Sequence, residues 1–273
     1  MNQRYRIAIV GGGITGLMTA ALLARDETAD RLDITLLDAA PRPVFSPVED
    51  VALRVSAIST GNAFLFNAVG AWEYVVATRA SAYERMCVWD ESDTPDGTAA
   101  LHFDAAEFAV PQLGFIVENL LLQEALLRQL DEGPVELKFS SPLRAMRKTG
   151  RRYGLELEAG DVLDADLVIA ADGARSLVRS AAGIETNEWP YRQTALVTHA
   201  QPSRPHGATA WQRFLRDGPL GLLPLEDGRV SVVWTTTPEQ ASAALEADEE
   251  IAGQMLSEAS DGVLGELTIA GPR

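Results

Sequence analysis

A chain of 273 residues, 47% of them hydrophobic and 23% charged, is long enough for one large domain or two modest ones around a packed core. Its formal net charge of -16 excludes a nucleic-acid partner, because a phosphate backbone calls for a concentrated basic surface. The single Cys87 excludes an intrachain disulfide, and His102, His199 and His206 form no cluster at metal-ligand spacing, so no metal is expected.

No apolar run approaches the roughly eighteen residues of a membrane span, and the chain enters its first strand without a signal peptide, which places it in the cytoplasm or peripherally at a membrane. That strand, Ile7 to Val10, runs into Gly11-Gly12-Gly13-Ile14-Thr15-Gly16 and then an Ala/Leu-rich helix from Leu17. Gly11, Gly13 and Gly16 have the spacing G-x-G-x-x-G of a dinucleotide cradle. The first glycine allows the turn, the second lets a pyrophosphate approach, and the third packs the helix on the sheet. The phosphates then meet a positive helix end. Leu32 to Leu37 reads as a second strand ending in Asp38, about twenty residues on, where a carboxylate accepts ribose hydroxyls and disfavours a phosphate. The nucleotide is FAD or NAD rather than NADP.

The prolines of 41–47 predict a meandering connection, followed by Arg54 and a helix over Ser59 to Val69 capped by Ser59 or Thr60. Arg54 is a candidate phosphate or ring contact, with a plain surface arginine as the alternative. Tyr83 to Trp89 and Ala99 to Phe103 read as a hairpin. Ile116 to Leu130 reads as a helix with Glu118 in its first turn, and Asn119 either reaches a ligand or caps that helix. From Val135 to Leu163 the pattern is a three-stranded meander. It leads to a strand that ends in Asp172-Gly173, at the end of a parallel sheet where ligands bind, with a helix starting near Arg175.

Beyond Pro190 the segments Tyr191 to Ala200, Ala208 to Arg216, Leu220 to Leu225 and Arg229 to Thr236 read as successive antiparallel strands of a second domain. Trp189, Tyr191, Trp211, Phe214 and Trp234 either line an aromatic pocket or fill a core. Helices follow from Pro238, with Asp248-Glu249-Glu250 as a helix start. The fold class is thus α/β: a Rossmann-like dinucleotide domain with a parallel sheet and β-meander, plus a mostly antiparallel substrate domain. The expected boundaries are 1–80 and 105–183 for the first, 81–104 and 184–273 for the second. The 81–104 hairpin is expected to pack with the later strands.

The glycine fingerprint, Leu53-Arg54-Val55-Ser56-Ala57-Ile58, Ile116-Val117-Glu118-Asn119, Asp172-Gly173-Ala174-Arg175-Ser176 and Trp189-Pro190-Tyr191 through Gly218-Pro219-Leu220 to Trp234, taken in order, resemble the ubiquinone-biosynthesis hydroxylases. These are FAD-dependent aromatic monooxygenases built like para-hydroxybenzoate hydroxylase. The resemblance implies an enzyme using FAD, NADH or NADPH and molecular oxygen to hydroxylate the ring of a polyprenylated phenol. The flavin does the chemistry, so no catalytic side chain is expected and the protein supplies positioning and water exclusion. By resemblance Gly11, Gly13, Ile14, Thr15 and Gly16 take the pyrophosphate, Asp38 the adenosine ribose, Arg54 and Asn119 the rest of FAD. Asp172 belongs to an Asp-Gly motif linked to FAD and to the reduced nicotinamide. The setting allows peripheral contact with the inner membrane, and a homo-oligomer or a ubiquinone-biosynthesis complex as partners.

Family members also carry a second motif, Gly-Asp followed by an Ala-Ala-His-like stretch, that completes the flavin site, and no such stretch occurs here. The expectation is therefore a truncated, inactive form holding FAD weakly or not at all. The alternative is a non-catalytic lipid- or partner-binding subunit of the biosynthetic assembly. A hydrolase is excluded by the lack of a G-x-S-x-G elbow with a histidine base, and the later motifs do not suit a simple NAD dehydrogenase.

Overall fold

The structure, a computed structural model, describes residues 4–25 and 29–273. In chain order, β1 (Tyr5–Val10) breaks at the glycines and α1 (Ile14–Arg25) starts directly after them. β2 (Leu32–Leu37) lies parallel to β1, pairing Ile7 with Ile34 and Ile9 with Leu36. The proline-bearing connection has no regular structure until β3 (Val55–Ser59), which feeds α2 (Thr60–Ala68); the Ser59 hydroxyl accepts the Asn62 N–H at 3.2 Å as the expected cap. Then come α3 (Trp72–Thr78), β4 (Ser81–Tyr83), β5 (Arg85–Asp90), β6 (Leu101–Asp104), β7 (Gly114–Glu118) and α4 (Asn119–Asp131). β8 (Glu136–Lys138) precedes β9 (Leu143–Thr149), β10 (Arg152–Leu157), β11 (Val162–Ala165), β12 (Leu167–Ala170) and α5 (Leu177–Ala181). The chain ends with β13 (Thr194–Pro202), β14 (Thr209–Leu215), β15 (Gly218–Pro224), β16 (Val230–Thr236), α6 (Pro238–Glu246), α7 (Glu249–Ala259) and β17 (Leu267–Ile269).

These elements form two compact units, one from the described residues of Met1–Glu49, Phe64–Val76 and Asn119–Glu188, the other from Asp50–Ala63, Ala77–Glu118 and Trp189–Arg273. In the first, a parallel sheet runs in the order β12-β1-β2-β8. Both faces of such a sheet must be covered, and the burial follows that rule. Ala8 and Val10 pack with Leu155, Leu157 and Ala165 of the antiparallel sheet β11-β10-β9. The alternate residues Ile7 and Ile9 are equally buried and point to the other side. α1 and α4 pack on each other, and both carry buried residues, Leu17 and Ala20 on α1 and Leu122 and Leu126 on α4 among them.

The second unit holds a seven-stranded sheet in the order β17-β13-β16-β15-β14-β5-β6 and a three-stranded sheet β3-β7-β4. The 81–104 hairpin joins the later strands as expected, with β5 lying parallel to β14 and Cys87 opposite Trp211. Leu220, Leu222, Val230, Val232 and Trp234 bury against Ala244, Ala252 and Leu256 of α6 and α7. Thr237 and Asp248 cap these two helices through the N–H groups of Gln240 and Ile251.

Several sequence expectations are corrected. Residues 116–118 are strand, and the helix begins at Asn119, because Ile116 is paired with both β3 and β4 and Val117 and Glu118 continue the pairing with β3. Glu118 therefore sits on β7 rather than in a first helical turn. Residues 136–138 belong to the parallel sheet, where Leu137 pairs with Leu36, and the meander proper starts at Leu143. The strands after Pro190 are not ordered by sequence, since β13 pairs with β16 and β17. Residues 50–63, 77–80 and 105–118, expected in the nucleotide domain, lie in the second unit, where β3 and β7 are partners in one sheet, and 184–188, expected in the second domain, lie in the first.

Candidate functional site

The glycine loop is stitched across the carboxyl ends of three strands. The Gly11 N–H donates to Leu37 O at 2.7 Å, the Ala171 N–H to Val10 O at 2.7 Å and the Asp38 N–H to Lys138 O at 2.9 Å. The three fingerprint glycines differ in what surrounds them. Gly11 has a φ of +116°, and a Cβ there would overlap the carbonyl of Ala171; a Cβ at Gly16 would overlap the carbonyl of Gly11. A Cβ at Gly13 would meet nothing within 4 Å. Two glycines are thus closed by the protein's own backbone, and the middle one faces open space at the start of α1, a twelve-residue helix whose first amides have no intrahelical acceptors. That is the shape and polarity of an anion cradle.

The cleft over this loop has a volume of about 340 Å³ and is lined by Gly11, Gly13, Asp38, Ser141, Asp172 and Arg175, among others. The Asp38 carboxylate accepts the Gly12 N–H and, at 2.7 Å, the Ala40 N–H. Each ionised carboxylate oxygen has further lone pairs, so Asp38 keeps acceptor capacity for a diol. Asp172 accepts the Ser176 hydroxyl at 2.5 Å and the Val178 N–H at 3.2 Å, and Gly173 turns the chain with φ +79°. Its carboxylate therefore secures the start of α5 while lining the same cleft. Sequence reasoning missed Gln123, whose amide donates to Gly12 O at 3.1 Å from α4. Asn119 opens that helix one turn earlier, on the same face, and the i, i+4 spacing was the available signal. Ile14 and Thr15 are the first two residues of α1.

Arg54 is exposed in the second unit, in the irregular stretch just before β3. The five aromatic candidates do not share a pocket. Trp234 is core, Trp211 meets Trp89 edge-on with centroids 6.2 Å apart, and Trp189, Tyr191 and Phe214 are exposed. The alternation of β14 and β16 dictates this, since Trp234 falls on the face that α6 and α7 cover.

A cavity of about 190 Å³ lies within the second unit, with Val51, Val55, Ile116 and Leu225 as its apolar walls and Arg79, Ser81, Glu118, Glu226 and Asp227 as its polar lining. Glu118 is only 3% exposed, pairs with Arg79 Nε at 2.9 Å and accepts the Ala52 N–H at 2.8 Å. Nearby in sequence to that segment, Asp50 pairs with Arg229 at 2.5 Å, and Arg229 also holds Asp227 at 2.6 Å and the Ala270 carbonyl at 3.0 Å. The guanidinium hydrogen bond pulls the Asp50 carboxyl down to about 2, and the two carboxylates raise Arg229 further above its ordinary value. Burial, and then the charge of Arg229, push the His199 imidazole below its usual pKa. Among the described residues there is no group of histidine, cysteine and carboxylate side chains able to hold a metal ion, and no helix long and apolar enough to cross a membrane.

The family described as FAD binding domain matches residues 4–270. The chain belongs to that FAD-binding family. It is 39% identical over 238 residues to the 3-demethoxyubiquinol 3-hydroxylase of Escherichia coli (strain K12), covering 87% of this chain and 59% of the relative. It is 38% identical over 258 residues to the ubiquinone biosynthesis monooxygenase COQ6 of Xenopus tropicalis, covering 90% of this chain and 54% of the relative. The FAD-binding chain thus spans somewhat more than half the length of these relatives. Among solved structures, PqsL of Pseudomonas aeruginosa, described in complex with 2-aminobenzoylacetate, aligns with a TM-score of 0.74 at 20% identity over 98% of this chain and 73% of that one. The p-nitrophenol 4-monooxygenase PnpA of Pseudomonas putida DLL-E4 aligns at 0.69 and 19% identity, over 97% and 64%. At those identities the likeness shows the fold: an FAD-binding α/β unit with a β-rich second unit.

Proposed function

We propose that this FAD-binding chain belongs to an NADH- or NADPH-dependent monooxygenase that places a hydroxyl on the ring of a polyprenylated phenol in ubiquinone biosynthesis. The observation that carries the reading is the unequal glycine loop, closed at Gly11 and Gly16 and open at Gly13, above a cleft that Asp38 and Asp172 line. The pyrophosphate of FAD fits the open face of Gly13 and the first turn of α1 at Ile14 and Thr15. Asp38 would hold the adenosine ribose, and Arg54 and Asn119 the remainder. Bound there and reduced by the nicotinamide, FAD supplies the activation of molecular oxygen. The chain's own part is to bind and orient: Gln123 fixes the Gly12 carbonyl, and Asp172 sets the turn into α5. The apolar walls of the second unit's cavity would face an aromatic ring, with the Arg79–Glu118 pair and the carboxylates of Glu226 and Asp227 beside it. The identity to ubiquinone-pathway relatives supports the prenylphenol as substrate.

Calorimetric titration tests both halves of this reading. FAD should bind to a single site in competition with ADP, and the FAD-loaded chain should then bind a prenylphenol. No binding of either nucleotide at millimolar concentration overturns the cofactor, and a loaded chain indifferent to the prenylphenol overturns the substrate.

A further inference from the structure

The cavity of the second unit combines its apolar walls with one arginine and three carboxylates, Arg79, Glu118, Glu226 and Asp227. Its volume of about 190 Å³ limits what can enter. An apolar cavity of about 150 Å³ is enough for benzene, so this one takes a ring with small substituents and leaves a polyprenyl tail outside. The two arginines at this place are already engaged. Arg79 Nε pairs with Glu118 Oε2 at 2.9 Å. Arg229 donates to Asp227 Oδ2 from Nε at 2.9 Å and from Nη2 at 2.6 Å, and to Asp50 Oδ2 from Nη1 at 3.1 Å. With Glu226, exposed beside Asp227, the group sets four carboxylates against two cations. Glu226 and Asp227 sit on the turn between β15 and β16, which two backbone hydrogen bonds fix. The Leu225 N–H donates to Arg229 O at 2.9 Å and the Gly228 N–H to Leu225 O at 3.2 Å, with Gly228 at φ +90°. A charged guest gives up hydration on entering such a site, and only an opposite charge offsets that cost. A neutral phenol avoids it, and its hydroxyl can donate to a carboxylate. A ring bearing its own ionised carboxylate meets a lining of its own sign instead.

We propose that Glu226 and Asp227 are specificity-determining residues, which make this cavity admit an uncharged phenol ring and reject one that carries an ionised carboxylate. This rests on the reading in which the cavity holds the substrate ring, and it concerns binding within the second unit. The discrimination comes from repulsion of the wrong ring rather than from an added contact to the right one.

Ligand-observed NMR titrations at neutral pH, on the full chain with FAD in excess, test this with phenol, para-hydroxybenzoate and methyl para-hydroxybenzoate. The ester matches the acid closely in size and lacks its charge. Phenol and the ester should bind the parent chain, and the acid at least about tenfold more weakly than the ester. Glu226→Lys, at an exposed position, should close that gap about tenfold, and Asp227→Asn should narrow it by removing a charge and releasing part of Arg229. Glu246→Lys makes the same charge change on α6, outside the cavity lining, and should leave the gap as it is. Equal binding of acid and ester to the parent chain overturns the proposal. So does a gap that Glu226→Lys or Asp227→Asn leaves unchanged, or one that Glu246→Lys closes as well. Val51→Phe fills the cavity from a half-buried position in an irregular stretch and should abolish binding of phenol and ester. If it does so while acid and ester bind the parent alike, the cavity reading stands and the charge selection alone falls. If phenol and ester still bind Val51→Phe, or no probe binds the parent at millimolar concentration, the cavity reading fails and the selection with it.

Discussion

A side chain at Gly16 would occupy the space of the Gly11 carbonyl, and one at Gly11 would overlap the Ala171 carbonyl on a backbone with positive φ. Gly16→Ala should therefore cost roughly 1–3 kcal/mol through forced displacement of α1 from the loop, read as a lowered urea midpoint. Asp172 makes two hydrogen bonds through a half-buried carboxylate. Asp172→Ala should cost about 1–2 kcal/mol, with faster amide exchange at Val178 and Arg179 as the local signature. Unchanged exchange at those amides would contradict the capping role. The glycines and Asp38 were legible from the sequence because their spacing is set by local backbone geometry. The tasks of Gln123, Glu118 and Arg229 were not, because each acts on a residue between 66 and 179 positions away.

Element by element, the strands flanked by glycine and proline read correctly from the sequence, as at the 85–90 and 101–104 hairpin. Errors fell where one apolar run served two structures in succession. Residues 116–130 have a continuous apolar pattern, and only the pairing of β7 with β3 and β4 ends the strand at Glu118. Likewise nothing local separates β8 from the meander, since its partner is β2, about a hundred residues earlier. At the other end of the chain, α7 covers the large sheet through Ala252 and Leu256, and Asp248 Oδ1 accepts the Ile251 N–H at 2.8 Å as its cap. Asp248→Ala should destabilise the second unit by about 1 kcal/mol in thermal melts, with glycine at the same position costing only a few tenths. Equal losses for alanine and glycine would count against the cap.

For the molecule as a whole, acid stability should report two groups of the second unit. His199 is 1% exposed and its pKa is lowered by burial. Between the ordinary histidine value of about 6.5 and the lower folded value, the unfolded chain takes up a proton that the folded chain refuses, so stability falls with falling pH in that window. Urea melts from pH 8 to 5 should show this slope reduced in His199→Leu, and an identical slope would contradict the buried neutral imidazole. Asp50, held at about 2 by Arg229, keeps its charge throughout that range. Its contribution is present above the unfolded carboxyl value of about 4 and is lost only as pH falls toward 2, so the Asp50–Arg229 ion pair is insensitive to physiological pH. The claim on which the functional account stands is that the open face of Gly13 is where a dinucleotide pyrophosphate lies. Calorimetric titration of the chain and of Gly13→Val with ADP and FAD tests it most directly, because a Cβ added there meets nothing within 4 Å. The account predicts an unchanged cooperative melt and at least about a tenfold loss of affinity for both nucleotides, or about 1.4 kcal/mol. A folded Gly13→Val that binds ADP and FAD as tightly as the parent chain would contradict it.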